Sequence, residues 1–271
     1  MMKVYLKALV PLVIFAAMQG LAGVALFGLR QMPVSLSIAV LLSGLLTVFL
    51  LWRIGMVRFD FSRTTPLSGR DIIGCLIAAF SCIVATDLLS EFLSLPDLME
   101  GQFLSMAHTV WGAVTIALVG PVVEEFVFRE AMLGSMLRGG VGRWTAVLFS
   151  AFLFGLVHGN PVQIPFAFIV GIIFGLIYCR TGNVALTSAI HIANNSIAVI
   201  EMNLLGDSAA DFYFYNLMGR PVAVAVIVAS AAVCIFFTKK TLLPATVCAS
   251  EEWDDTSVAT DSVDVSNNTV G

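Results

Sequence analysis

Apolar residues fill this chain in long blocks, and short polar stretches separate them. About 20 apolar residues in a helix are needed to cross the hydrocarbon of a bilayer. Blocks of that kind stand at 4–29, 34–52, 71–95, 107–128, 143–158, 162–179, 184–205 and 221–238. Each must be helical, because lipid offers no partner to backbone N–H and C=O groups. The pattern predicts an all-α, polytopic transmembrane helical bundle of about eight spans. The fifth and sixth blocks are short, so tilt or shelter from neighbours is expected. The fourth is expected to run past Arg129 towards Arg138, with its second half leaving the membrane or lying on its surface.

The basic residues give the ladder a direction. With a cytoplasmic N-terminus, eight spans put Lys3, Lys7, Arg53, Arg58, Arg63, Arg70, Arg129, Arg138, Arg143, Arg180, Lys239 and Lys240 inside. Only Arg30 and Arg220 fall outside, which is a strong positive-inside bias. The outer loops carry Asp97, Glu100, Asp207 and Asp211 instead. Both termini are therefore expected in the cytoplasm.

Composition agrees with this class. The chain is 59% hydrophobic and 12% charged, with a mean hydropathy of +0.96. Soluble domains are about 45–50% apolar and about 25% charged. No basic run suggests nucleic acid. The apolar N-terminal run is too long for a signal-peptide core and reads as a retained first span. Cys75, Cys82, Cys179, Cys234 and Cys248 include no C-x-x-C pair and read as packing residues. Residues 53–70 form a basic, aromatic inner loop, equally readable as a plain connection or as a segment lying on anionic headgroups. Three regions are expected: N-terminal helices and inner loop over 1–106, a helical core over 107–240, and an acidic, disordered tail over 241–271.

Ionisable residues inside spans mark cavities or bundle interiors. Three clusters stand out. In "GPVVEEFVFRE", Gly120 and Pro121 disturb the helix, and Glu125 and Arg129 share a face at i, i+4. Glu124 points about 100° away. One carboxylate can be held by arginine while the other faces a cavity and acts as a base on water. The plainer reading is an ion pair where the helix leaves the membrane. In "FLFGLVH", Phe154 and His158 share a face, and His158 reads as a packing residue or a catalyst. In "HIANN", His191 and Asn195 share a face and Asn194 points elsewhere. That pair suits a metal, a water or an oxyanion, or a hydrogen bond between spans. Gly171 and Gly175 allow close helix approach, which would draw the spans of His158 and His191 together.

E-E-x-x-x-R at 124–129, F-x-x-x-H at 154–158, a glycine-spaced run ending at T-G-N over 168–183 and H-x-x-x-N at 191–195 occur in that order. This set resembles the CPBP (or ABI) family of intramembrane proteases, which includes the type II CAAX prenyl endopeptidases. The likeness covers about residues 107–200. It implies a membrane-embedded catalytic cavity in which Glu124 activates the hydrolytic water. Glu125 and Arg129 would support that base, and His158 would share in activating water. His191 and Asn195 would stabilise the oxyanion. The expected mechanism is metal-free; the alternative is zinc held by Glu124, His158 and His191, although the H-E-x-x-H spacing is missing.

The resulting expectation is an intramembrane endopeptidase that cleaves a membrane-associated peptide or lipidated protein. The bilayer expected is a bacterial cytoplasmic membrane. One rival is a non-catalytic scaffold or bacteriocin-immunity protein of the same family. The other is a proton-coupled transporter, for which Asp87 and Glu91 on one face of the third span would form a relay.

Overall fold

The computed structural model describes residues 2–27, 33–59, 68–93, 95–205 and 214–243. Arg30, Arg63, Asp207, Asp211, Cys248, residues 60–67 of the inner loop and nearly all of the acidic tail lie outside those residues. The chain forms α1 (Met2–Phe27), α2 (Pro33–Arg53), α3 (Gly69–Leu93) and the short α4 (Glu100–Ala107). A long helical run follows as α5 (Val110–Arg138). Then come α6 (Arg143–Val157), α7 (Ile164–Thr181), α8 (Val184–Leu205), the short α9 (Phe214–Met218) and α10 (Arg220–Leu242). No strand occurs among the described residues. The protein is an all-α, multi-pass membrane bundle.

Among the described residues, every expected block is helical, and six helices are long and apolar enough to cross a membrane: α1, α2, α3, α5, α7 and α10. The other two fall short for different reasons. α6 has 15 residues, which is about 22 Å at 1.5 Å per residue against a hydrocarbon core of about 30 Å. α8 has 22 residues but carries His191, Asn194, Asn195, Glu201 and Asn203. These lower its hydropathy, and several of them face the interior.

α5 is the axis of the bundle and packs against α1, α2, α6 and α8. Its second half, which the sequence placed at or beyond the membrane surface, is covered by the protein itself. Residues 126–137 are all buried, and Phe128, Arg129, Met132, Leu133 and Met136 are almost fully enclosed. Ile173, Phe174, Leu176 and Ile177 of α7 join them in the main apolar cluster. The outer surface carries Leu45, Phe49, Ile73, Val84, Phe152, Ile197, Val228 and Phe236, all exposed. Large apolar groups on the outside suit a solvent as apolar as they are.

Glycine sets the spacing of α6 and α7. A Cβ on Gly171 would lie 3.1 Å from the Phe154 ring and 3.2 Å from the Ala151 Cβ. One on Gly175 would lie 3.1 Å from Val147, and one on Gly155 would lie 2.8 Å from the Ile164 carbonyl oxygen. The glycine face thus brings α7 onto α6, the helix that His158 follows. His191 reaches the interior because α8 packs on α5.

The T-G-N turn joins α7 to α8 by paired caps. Gly182, at φ +61°, ends α7 in the left-handed region, and its N–H donates to Tyr178 O at 2.8 Å. Asn183 Oδ1 then accepts from the N–H groups of Ala185 at 2.9 Å and Leu186 at 3.1 Å. Gly and Asn are the residues expected at those positions.

Candidate active site

Pro121 disturbs α5 without breaking it. Residues Thr115–Val119 form a π turn, and a second π turn covers Phe126–Leu133. Proline has no N–H to donate and its ring crowds the preceding turn, so the helix widens. The six residues between the π turns, Gly120–Glu125, return to α geometry and carry both glutamates.

Adjacent positions give the two carboxylates opposite surroundings. Glu125 is 0% exposed, and Arg129 Nη1 lies 3.2 Å from its Oε1. The guanidinium is sealed in by aromatic faces, 4.3 Å above the Phe154 ring and 5.4 Å from that of Phe174. A buried charge pair needs such compensation to persist. Glu124 is 24% exposed and borders a cavity.

His191 bridges the two. Its Nδ1 lies 3.1 Å from Glu125 Oε1. An ionised carboxylate only accepts, so Nδ1 carries the proton and donates. Its Nε2 faces Glu124 Oε2 at 3.7 Å. His158 follows the last residue of α6, and its Nδ1 donates to Phe154 O at 2.8 Å. That bond leaves Nε2 of His158 as the acceptor in the neutral ring. Phe154 connects the parts. Its ring meets those of His158, His191 and Phe128 edge-on at 5.0, 5.9 and 5.3 Å. The phenylalanine of F-x-x-x-H is thus the wall on which both imidazoles and the arginine rest.

Asn195 Nδ2 donates to Ile116 O in the first π turn at 3.1 Å, and its Oδ1 accepts from Asn194 Nδ2 at 3.1 Å. Asn194 does not point elsewhere, as its spacing suggested; it borders the same cavity.

The cavity measures about 400 Å³, within the range of small-ligand sites. Glu124, His158, His191, Asn194 and Asn195 border it, together with Asp87 of α3. Glu125 and Arg129 lie behind that wall. Among the described residues, no three His, Cys, Asp or Glu groups are placed to hold a metal ion.

Other polar residues escaped the sequence reading. Asn160 is 0% exposed. Its Nδ2 donates to Asp97 Oδ1 at 2.8 Å and its Oδ1 accepts from Leu98 N at 3.1 Å, which ties the loop before α4 to the loop after His158. Ser150 donates to Phe128 O in the second π turn at 2.8 Å, and Tyr178 donates to Glu130 at 2.6 Å. An intramembrane asparagine two residues after His158 was the available signal for Asn160. Of the proposed relay pair, Asp87 borders the cavity, whereas Glu91 accepts the N–H of Tyr215 at the start of α9 at 3.1 Å.

Comparison with known proteins converges on the same stretch. Residues 106–197 match the family described as type II CAAX prenyl endopeptidase Rce1-like. The likeness to that family rests on this segment, which contains all six candidate site residues. The membrane-embedded CAAX protease MroQ of Staphylococcus aureus (strain USA300) is 32% identical over 90 residues, covering 31% of this chain and 36% of that protein. The putative membrane peptidase YdiL of Bacillus subtilis (strain 168) is 28% identical over 87 residues, 32% of this chain and 35% of that one. The matched stretch is thus about a third of each relative. No solved structure matches the chain.

Proposed function

We propose that the protein is an intramembrane endopeptidase that uses Glu124 to activate water, without a metal ion. The observation that carries this reading is the His191 ring, which lies 3.1 Å from buried Glu125 and 3.7 Å from cavity-facing Glu124. A base, a fixed imidazole and a cavity inside a membrane bundle are the parts that amide hydrolysis needs. The family match and the protease names of the relatives support the same class.

The steps follow from the groups. Glu124 and Nε2 of His191 both border the cavity, so one water can touch both. Glu124 removes a proton from this water as its oxygen attacks the peptide carbonyl. His158 supplies a second acceptor for the water. The tetrahedral oxyanion forms beside His191, whose Nδ1–H is anchored on Glu125. Arg129 pairs with Glu125 and holds it in place. Collapse of the intermediate breaks the C–N bond, and Glu124 returns the proton to the leaving nitrogen. We assign this chemistry to residues 107–240, in a bacterial cytoplasmic membrane with both termini in the cytoplasm. The substrate is a membrane-associated peptide or lipidated protein.

The test is cleavage by the purified full chain in liposomes, read by mass spectrometry on membrane-anchored peptides with and without a lipidated cysteine. Glu124→Gln should lower the rate by about 10²–10⁴-fold, the usual worth of a positioned general base. Equal cleavage by wild type and Glu124→Gln would reject the mechanism. Ion flux without cleavage would favour a carrier, to which Asp87 would then belong.

A further inference from the structure

Asn195 and Pro121 form a pair that the sequence does not suggest. In the first π turn, Gly120 N–H donates to Thr115 O, five residues back. The next donor in that register would be residue 121, aimed at Ile116 O. Residue 121 is proline and has no hydrogen to give. Ile116 O is thus left without its helical partner, inside a membrane where an unpaired carbonyl is costly. Asn195 Nδ2 stands 3.1 Å from that oxygen. Thr115 Oγ1 holds the same turn from the other side, donating to Trp111 O at 2.7 Å and reaching Ser37 O of α2 at 3.2 Å.

We infer that Asn195 is a positioning residue that supplies the hydrogen bond Pro121 lacks. Its amide pins α8 to the widened turn of α5. The pin fixes the rotation of the following residues, which carry Glu124 three places after Pro121. It also fixes α8, which carries His191 one turn before Asn195. The 3.7 Å approach of Glu124 to His191 depends on both helices at once. Asn195 therefore acts through the two helices that present the base and the imidazole. This inference rests on the proteolytic reading for its kinetic test, and has a second arm that does not.

The experiment is a double-mutant cycle on the purified full chain. Asn195→Ala should lower kcat by about 10²-fold, the loss associated with misplacing reacting groups by about 1 Å, with KM little changed. Pro121→Ala returns an N–H at position 121. In that background Asn195→Ala should change kcat by no more than about twofold, as for uncoupled sites. A loss of about 10²–10³-fold in both backgrounds is the signature of a donor that touches the oxyanion, and would overturn the proposal. The second arm is thermal unfolding in detergent, which needs no substrate. Asn195→Ala should lower Tm in the wild-type background and leave it nearly unchanged beside Pro121→Ala. Equal drops in both backgrounds would overturn the proposal even if no substrate were cleaved. If Asn195→Ala alone fails to fold, recovery of a folded chain by Pro121→Ala/Asn195→Ala supports the pairing, and failure of the double variant rejects it.

Discussion

Arg129 shows how one side chain decides the meaning of its neighbours. It is almost wholly enclosed, paired with Glu125 and stacked on Phe154. Removing one member of a buried pair leaves an uncompensated charge, at about 3–5 kcal/mol. Arg129→Met should therefore lower Tm sharply, and Glu125→Gln/Arg129→Met should restore much of the loss; thermal unfolding in detergent measures both. Arg129→Lys should also weaken the site, because a lysine has no planar group to lie on the Phe154 ring. Phe154→Ala removes the wall shared by Arg129, His158 and His191. A loss of about 3–5 kcal/mol is expected for such a truncation, together with reduced cleavage. At this scale the i, i+4 pairing of Glu125 with Arg129 and the diverging direction of Glu124 were readable from spacing. The role of Phe154 was only half readable, because Arg129 and His191 reach it from α5 and α8.

Helices carry the second level. The glycines of α6 and α7 permit a contact that a side chain would block. Gly155→Leu would aim a branched side chain at the Ile164 carbonyl region, where a Cβ alone already lies within 2.8 Å. Overpacking costs about 1–3 kcal/mol, so Tm should fall. His158, which follows α6 directly, should move from the cavity, and the cleavage rate should fall further than Tm alone predicts. The two π turns of α5 were only partly legible. Pro121 marked a disturbance, but nothing local distinguishes a kink from a widened turn. That outcome depends on partners for the displaced carbonyls, which Asn195 and Ser150 provide from other helices. The burial of residues 126–137 was missed for a related reason. Glu125, Arg129 and Glu130 resemble a helix leaving the membrane until their partners on α7 and α8 are in place.

Across the whole molecule, the basic residues predict how the bundle lies in its membrane. With native cysteines replaced, Lys3→Cys and Lys239→Cys should react with an impermeant thiol reagent from the cytoplasmic side, and Arg220→Cys from the opposite side. Labelling of Lys3→Cys and Arg220→Cys from one side would reverse part of the ladder. α6 is the element to watch, since its 15 residues make a partial crossing on their own. Its pairing with α7 and α5 provides the cover that its length does not.

The sequence by itself determined the all-α membrane class, the positions of the helices and the residue types of the site. Those features depend on composition and on helical periodicity, which are local. Only the tertiary structure decided which histidine meets the two carboxylates and which side chains wall their cavity. It also decided that the glycines of α7 pack against α6, and that Asn195 answers a carbonyl of α5. Each of these depends on how one helix is rotated and set against another, and spacing within a single helix carries no information about that.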